Sequence, residues 1–293
     1  MSFSSLQWGL VLRRSFISIA IFLPLFSAHS FRLCEHERLT RRAVLEFNYC
    51  FDGSVSRTTE DTIVSANKSE DTDLINKWLW YSHFYHPEKP LEDMSRYDSS
   101  IRVNELEEEI KKLLLSQNKN DSEIYNNMGY IIHHLQDMAS PPHVVPVMHG
   151  LDDGFEAYEL TDKEFQNYMP EGIDCNIYTT LNDPNLFAIL KQTASKTLAR
   201  ARDYLFAFKD NQLGKLKWAA FWKESEKNAF GEYGFLGNSF GTTKMKTSLH
   251  SYEIVESEYK DFKAGQLLLG IDATRRALYW LHVKTHPTSP KQQ

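Results

Sequence analysis

Apolar positions in this 293-residue chain recur at intervals of three and four, the period of helices that bury one face. Leu39, Ala43, Val44, Leu45 and Phe47 form a short amphipathic segment running on from His36. Val103, Leu106, Ile110, Leu113 and Leu114, interleaved with Glu and Lys, predict a solvent-facing helix over 102–117. The stretch 121–139 reads as a helix capped by Asp121 or Ser122. A further helix is expected from near Asp152 to about 168. Asp183-Pro184 then opens a long pattern through Leu186, Ile189, Leu190, Ala194, Leu198 and Leu205. Two more helices, 216–229 and 252–283, complete the set. No run alternates with period two for long enough to argue a sheet. Turns fall at Pro87–Pro90, Pro170–Gly172 and Gly231–Thr243, and none resembles a domain boundary. The expectation is an all-α protein, a single compact multi-helix domain.

The first thirty residues follow a different rule. Arg13-Arg14-Ser-Phe-Ile leads into an apolar run from Ile17 to Phe26, and Ala28-His29-Ser30 offers small residues where a signal peptidase cuts. The run is short for a membrane span and reads as a cleavable export signal, residues 1–30. The paired arginines point to twin-arginine export, with an ordinary secretory signal as the alternative. The mature domain is then 31–293, and with only a polar tail after residue 283 it is expected to be a lone catalytic-type domain.

Losing two arginines with the signal takes the formal charge from −6 to −8. A negative surface argues against a basic nucleic-acid-binding face and against a stable nucleic-acid partner. Cys34, Cys50 and Cys175 permit one disulfide at most, which export would allow. Cys34 lies close to His36 but is taken as structural.

The candidate chemistry centres on Tyr-Ile-Ile-His133-His-Leu-Gln-Asp137-Met-Ala-Ser-Pro-Pro-His143. His133 and Asp137 are four apart and share a helix face. Pro141 and Pro142 stop the helix, leaving His143 able to fold back toward the same point. Two imidazoles and a carboxylate meeting at one place suit zinc. His134 projects about 100° from His133 and is left out of the ligand set. Upstream, Glu70-Asp71 precedes His83 by twelve residues from the aspartate; downstream come His149, Asp153 and Glu156; near the mature start stands His36. His86, His250, His282 and His286 fit no ligand spacing.

Taken together these elements resemble the zinc-dependent phospholipase C and S1/P1 nuclease superfamily, over most of the mature chain. The resemblance implies two or three zinc ions. One would take Asp71, His83, His133 and Asp137. A second would take His143, His149 and either Asp153 or Glu156, with Glu156 favoured. A third would share Asp137 with His36 and the N-terminal residue, Phe31 here where the family usually has tryptophan. Asp71 or Glu70 would position or deprotonate the attacking water. The runs Ser-His-Phe-Tyr-His-Pro and Asp-Met-Ala-Ser-Pro-Pro-His are most similar to bacterial phosphatidylcholine-preferring phospholipases C. Their implied activity is release of phosphocholine and diacylglycerol by a monomer that touches the membrane transiently. Tyr81, Phe84, Tyr85 and the stretch Tyr233–Phe240 are the candidate lipid contacts. A single-strand nuclease or 3′-nucleotidase remains the alternative, and a non-enzymatic metal-binding interaction protein a second.

Overall fold

The computed structural model describes residues 33–72, 82–89, 97–149, 153–178, 185–209, 214–246 and 251–286. The expected signal, Phe31, Tyr81, His250 and the helix starts at Asp152 and Asp183-Pro184 lie outside these described residues.

Helix α1 (Leu33–Cys50) buries Leu39, Ala43, Val44 and Phe47 along one stripe, with His36 and Thr40 on the same side. Helix α2 (Arg57–Thr72) is absent from the hydrophobic reading, and the reason is plain in its burial. Ile63, Val64 and Ala66 begin its inner face, but Asn67, Glu70 and Asp71 continue it. A polar buried face defeats a pattern search that looks for apolar ones.

Helix α3 (Ser99–Leu115) turns Val103, Leu106 and Ile110 inward behind an Asp98 cap. Helix α4 (Asp121–Asp137) is capped by Asn120, just ahead of both expected caps, Asp121 and Ser122. Gly129 lets α4 lie directly on α2: a Cβ there would stand 2.5 Å from the Ile63 carbonyl oxygen and 2.6 Å from Ala66 Cβ. The chain leaves α4 at Met138, and Pro141 and Pro142 then initiate a new short helix, α5 (Pro141–Val144), rather than merely ending the old one. Proline suits a first helical turn because that turn needs no intrahelical N–H.

The expected helix over 152–168 is two pieces, α6 (Gly154–Ala157) and α7 (Asp162–Tyr168), the second begun by a Thr161–Glu164 capping box. Helix α8 (Leu186–Asp203) stops short of Leu205, which opens a strand instead. The expected helix over 216–229 does not form. That region holds β2 (Lys215–Lys217), paired to β1 (Leu205–Ala207), and then β3 (Trp222–Lys223), paired to β4 (Glu232–Tyr233). A third ladder joins β5 (Lys244–Lys246) to β6 (Ser251–Glu253), so the last helix, α9 (Glu256–Thr285), starts later than residue 252. Strands of two or three residues are too short to leave an alternating signature.

The protein is therefore mostly helical with little sheet, as the all-α expectation required. The aliphatic side chains of α1 to α4 and an aromatic group of Phe155, Trp218, Phe221, Trp222, Phe240 and Phe262 belong to one core. Phe84 and Tyr85, expected as lipid contacts, are buried, at 0% and 9% exposure. Of the Tyr233–Phe240 stretch, Phe240 and Leu236 are likewise buried, while Phe235 stands 69% exposed. Cys50 and Cys175 form a disulfide that ties the end of α1 to a segment 125 residues away, and Cys34 is free and exposed. Among the described residues no helix is long and apolar enough to cross a membrane.

Candidate metal centre

Helices α1, α2 and α4 and the segment around His83 bring six donors together. His36, Asp71, His83, His133, His134 and Asp137 form three overlapping groups whose ligand atoms lie within 4.8 Å of one another. His143, His149 and Glu156 form another such group. All nine side chains are buried. The two assemblies adjoin, with the His83 and His143 rings 6.2 Å apart. They are stitched together by backbone: Tyr85 N donates to the His143 carbonyl at 3.1 Å.

Four of the histidines are oriented in the same sense. His143 Nδ1 donates to the His83 carbonyl and His149 Nδ1 to the Val147 carbonyl, each at 2.6 Å. Their Nε2 atoms face Glu156, at 2.8 and 3.4 Å. His36 Nδ1 donates to Gln136 Oε1 at 2.7 Å, and its Nε2 lies 3.5 Å from Asp137 and 3.9 Å from Asp71. His133 Nδ1 lies 3.3 Å from Asn67 Oδ1, leaving Nε2 3.3 Å from Asp137 and 3.9 Å from Asp71. An oxygen acceptor on one ring nitrogen leaves the lone pair of the other free to meet a cation, the arrangement that metal-binding histidines adopt.

The acceptors are themselves held. Gln136 Nε2 donates to Thr40 and Thr274 hydroxyls at 3.0 Å each, and Asn67 Nδ2 to Thr40 and Gln136 at 3.1 Å each. Helices α1, α2, α4 and α9 thus each contribute a side chain to one buried polar layer beneath the histidines. Ser140 Oγ donates to Glu156 Oε1 at 2.8 Å.

Electrostatics match this geometry. Burial pushes His133 and His143 toward neutrality, yet nearby carboxylates win and lift both to about 9. For His133 these are chiefly Asp137 and Asp71; for His143, Asp137 and Glu156. Burial dominates at His36 and lowers it to about 4. Against the cost of burial, His133 and His143 hold Asp137 well below the usual carboxylate range, and His143 and His149 do the same for Glu156. Without an ion, protons on these imidazoles balance the carboxylates; a cation can take their place.

Asp71, His83, His133, Asp137, His36, His143, His149 and Glu156 therefore come together as the spacing suggested. Asp153 does not join them. It caps α6, accepting from Phe155 N at 2.7 Å, and accepts from the Tyr233 hydroxyl at 2.8 Å. Glu70 belongs to none of the donor groups and sits 3.7 Å from Arg102. Cys34 is likewise outside them, its Sγ 3.7 Å from Glu159. His86 is buried against Glu224, and His282 stacks on His286.

His134 is the residue that helical-wheel reasoning excluded and the structure brings in. It is 1% exposed, its ring centroid 5.4 Å from that of His83, and it shares a donor group with His83 and Asp137. The helix angle was right, but the His83 ring packs against both, 5.0 Å from that of His133 and 5.4 Å from that of His134. No local sequence signal carries that information. A surface groove of about 700 Å³, lined by Leu216, Ala219, Lys223, Tyr233 and Phe235, contains none of the donors, and its Tyr233 hydroxyl donates to Asp153. Buried groups of His, Asp and Glu placed so that they can hold a metal ion are what the fold presents. No family model, curated protein or solved structure matches this chain.

Proposed function

We propose that the chain is an exported zinc-dependent phosphodiesterase, a phospholipase C that hydrolyses phosphatidylcholine to diacylglycerol and phosphocholine. The observation that carries this reading is the inward orientation of His36, His133, His143 and His149, each with Nδ1 on an oxygen and Nε2 facing carboxylates, in two adjoining groups. Mixed imidazole and carboxylate donors suit zinc, and triads leave a coordination position open, as catalytic rather than structural sites do. Zinc bound there would bring water to a pKa of about 7 and offset charge on a phosphoryl group.

The chain's own residues do the rest. Asp71 orients the attacking water and takes its proton, with Glu70 beside it in α2 as the alternative base. The water oxygen bonds to phosphorus while the bond from phosphorus to the glycerol oxygen breaks. That oxygen takes up the proton that Asp71 accepted and leaves as diacylglycerol, and the head group keeps the phosphate. Met148, 45% exposed and next to His149, and Phe235, 69% exposed, are two of the exposed apolar side chains and would touch a lipid surface. The Cys50–Cys175 disulfide is compatible with an extracellular protein and supports reading residues 1–30 as an export signal.

The test is phosphocholine release from phosphatidylcholine by metal-loaded protein, with and without a chelator. Other head groups and single-stranded nucleic acid are run in parallel. Chelator-sensitive release is expected. Failure by protein confirmed to hold its ions, with cleavage of nucleic acid instead, would move the assignment to the nuclease branch.

A further inference from the structure

We propose that His134 is a metal ligand, completing a position with His83 and Asp137 that the spaced motif does not include. The argument starts from an imbalance. His134 is fully buried in α4, yet neither Nδ1 nor Nε2 has a hydrogen-bond partner. Each of the four inward-oriented histidines has an oxygen on one ring nitrogen and carboxylates before the other. Leaving a buried polar group without a partner is costly, so a helix position with only a packing role would favour leucine or phenylalanine.

Its surroundings are donors too. The His134 ring lies 5.4 Å from that of His83 and 5.6 Å from that of His133, and its ligand atom converges with those of His83 and Asp137 within 4.8 Å. A cation shared by these three gives one ring nitrogen of His134 a partner. A buried water beside His134 is the competing explanation.

The inference rests on the metal reading of this cluster and is independent of the lipid assignment. Metal-free wild type, His134→Phe and His134→Cys are titrated with zinc against a chromophoric chelator, and with cobalt followed by visible absorption. His134→Phe keeps the ring volume and removes both nitrogens. It should fold with at least wild-type stability when metal-free, and should bind one ion more weakly by more than the roughly 10–100-fold that loss of an outer-shell partner produces. The His143–His149–Glu156 position should keep its affinity. His134→Cys should recover part of the lost affinity and add a thiolate-to-cobalt charge-transfer band, which a packing role cannot produce. Wild-type affinities in His134→Phe, or no thiolate band in a folded His134→Cys, would overturn the proposal. Absence of any ion binding by wild type would overturn it together with the metal reading.

Discussion

Replacing Lys263 by methionine should destabilise the protein more than any surface substitution, and the structure sets the size of the effect. Lys263 is completely buried in α9. Its ammonium lies 2.7 Å from Glu35 Oε2, donates to the Phe155 carbonyl at 2.9 Å and sits 4.4 Å from the Phe155 ring centroid. Glu35 also takes Arg38 at 2.9 Å, and Arg38 donates to the Leu160 carbonyl at 2.8 Å. The pair therefore braces α9 and α1 against the turn that carries Glu156. Burial pushes the ammonium toward deprotonation, and Glu35 resists it. Methionine preserves length but leaves Glu35 facing apolar groups on one side and takes the ammonium donor from the Phe155 carbonyl, which keeps Tyr158 N at 3.3 Å.

Removing one partner of a buried pair costs about 3–5 kcal/mol. Because Arg38 still contacts Glu35, about 3 kcal/mol is expected for Lys263→Met. At roughly 2–4 °C per kcal/mol for chains of this size, the midpoint falls by about 6–12 °C. The double change Lys263→Met with Glu35→Leu removes both charges and should return to within about 1 kcal/mol of wild type, since apolar replacements of buried pairs are often neutral. Arg38 keeps Asp162 at 3.6 Å. Denaturation followed by circular dichroism, in chelator so that ions do not contribute, measures all four corners of the cycle. A single mutant within about 1 kcal/mol of wild type, or singles that simply add in the double, would refute the bracing role.

Gln136→Leu should fold but weaken metal binding by about 10–100-fold, because His36 loses the acceptor that orients its ring; a chelator competition titration reads this directly. Gly129→Ala gains about 1 kcal/mol of helix propensity but forces a methyl within 2.5 Å of the Ile63 carbonyl, a backbone atom that cannot swing aside. Overpacking of this kind costs about 1–3 kcal/mol, so net destabilisation is expected in a urea titration, and a stabilised variant would contradict the close α2–α4 contact. Hydrogen bonds from Arg202 push Glu224 down to about 2, so its contribution is present above its unfolded value near 4.5 and lost as pH falls toward 2. Solvent reaches this pair, so Glu224→Gln should lose less than about 1 kcal/mol at pH 7, and the difference from wild type should close across that window when urea midpoints are compared.

The chain's own order of residues determined the helical class, the helices that bury apolar stripes, and most of the donors. His133 and Asp137 share a face of α4 because four residues nearly complete a turn, and the two prolines after it made a change of direction certain. Three things were named or left open along the chain but decided only by packing. Helix α2 turns Asn67, Glu70 and Asp71 inward, so its role shows only when the histidines it serves are in place. Glu156 rather than Asp153 meets His143 and His149 because Asp153 is drawn off to cap α6 and hold Tyr233. The hairpins of β1 to β6 gain strand geometry from pairing, not from pattern. His134 makes the general point. A helix angle fixes where a side chain points relative to its own helix, but whether that direction meets solvent, core or another donor depends on which distant segment packs there. For His134 that segment carries His83, more than fifty residues earlier in the chain, and packing alone brought the two together.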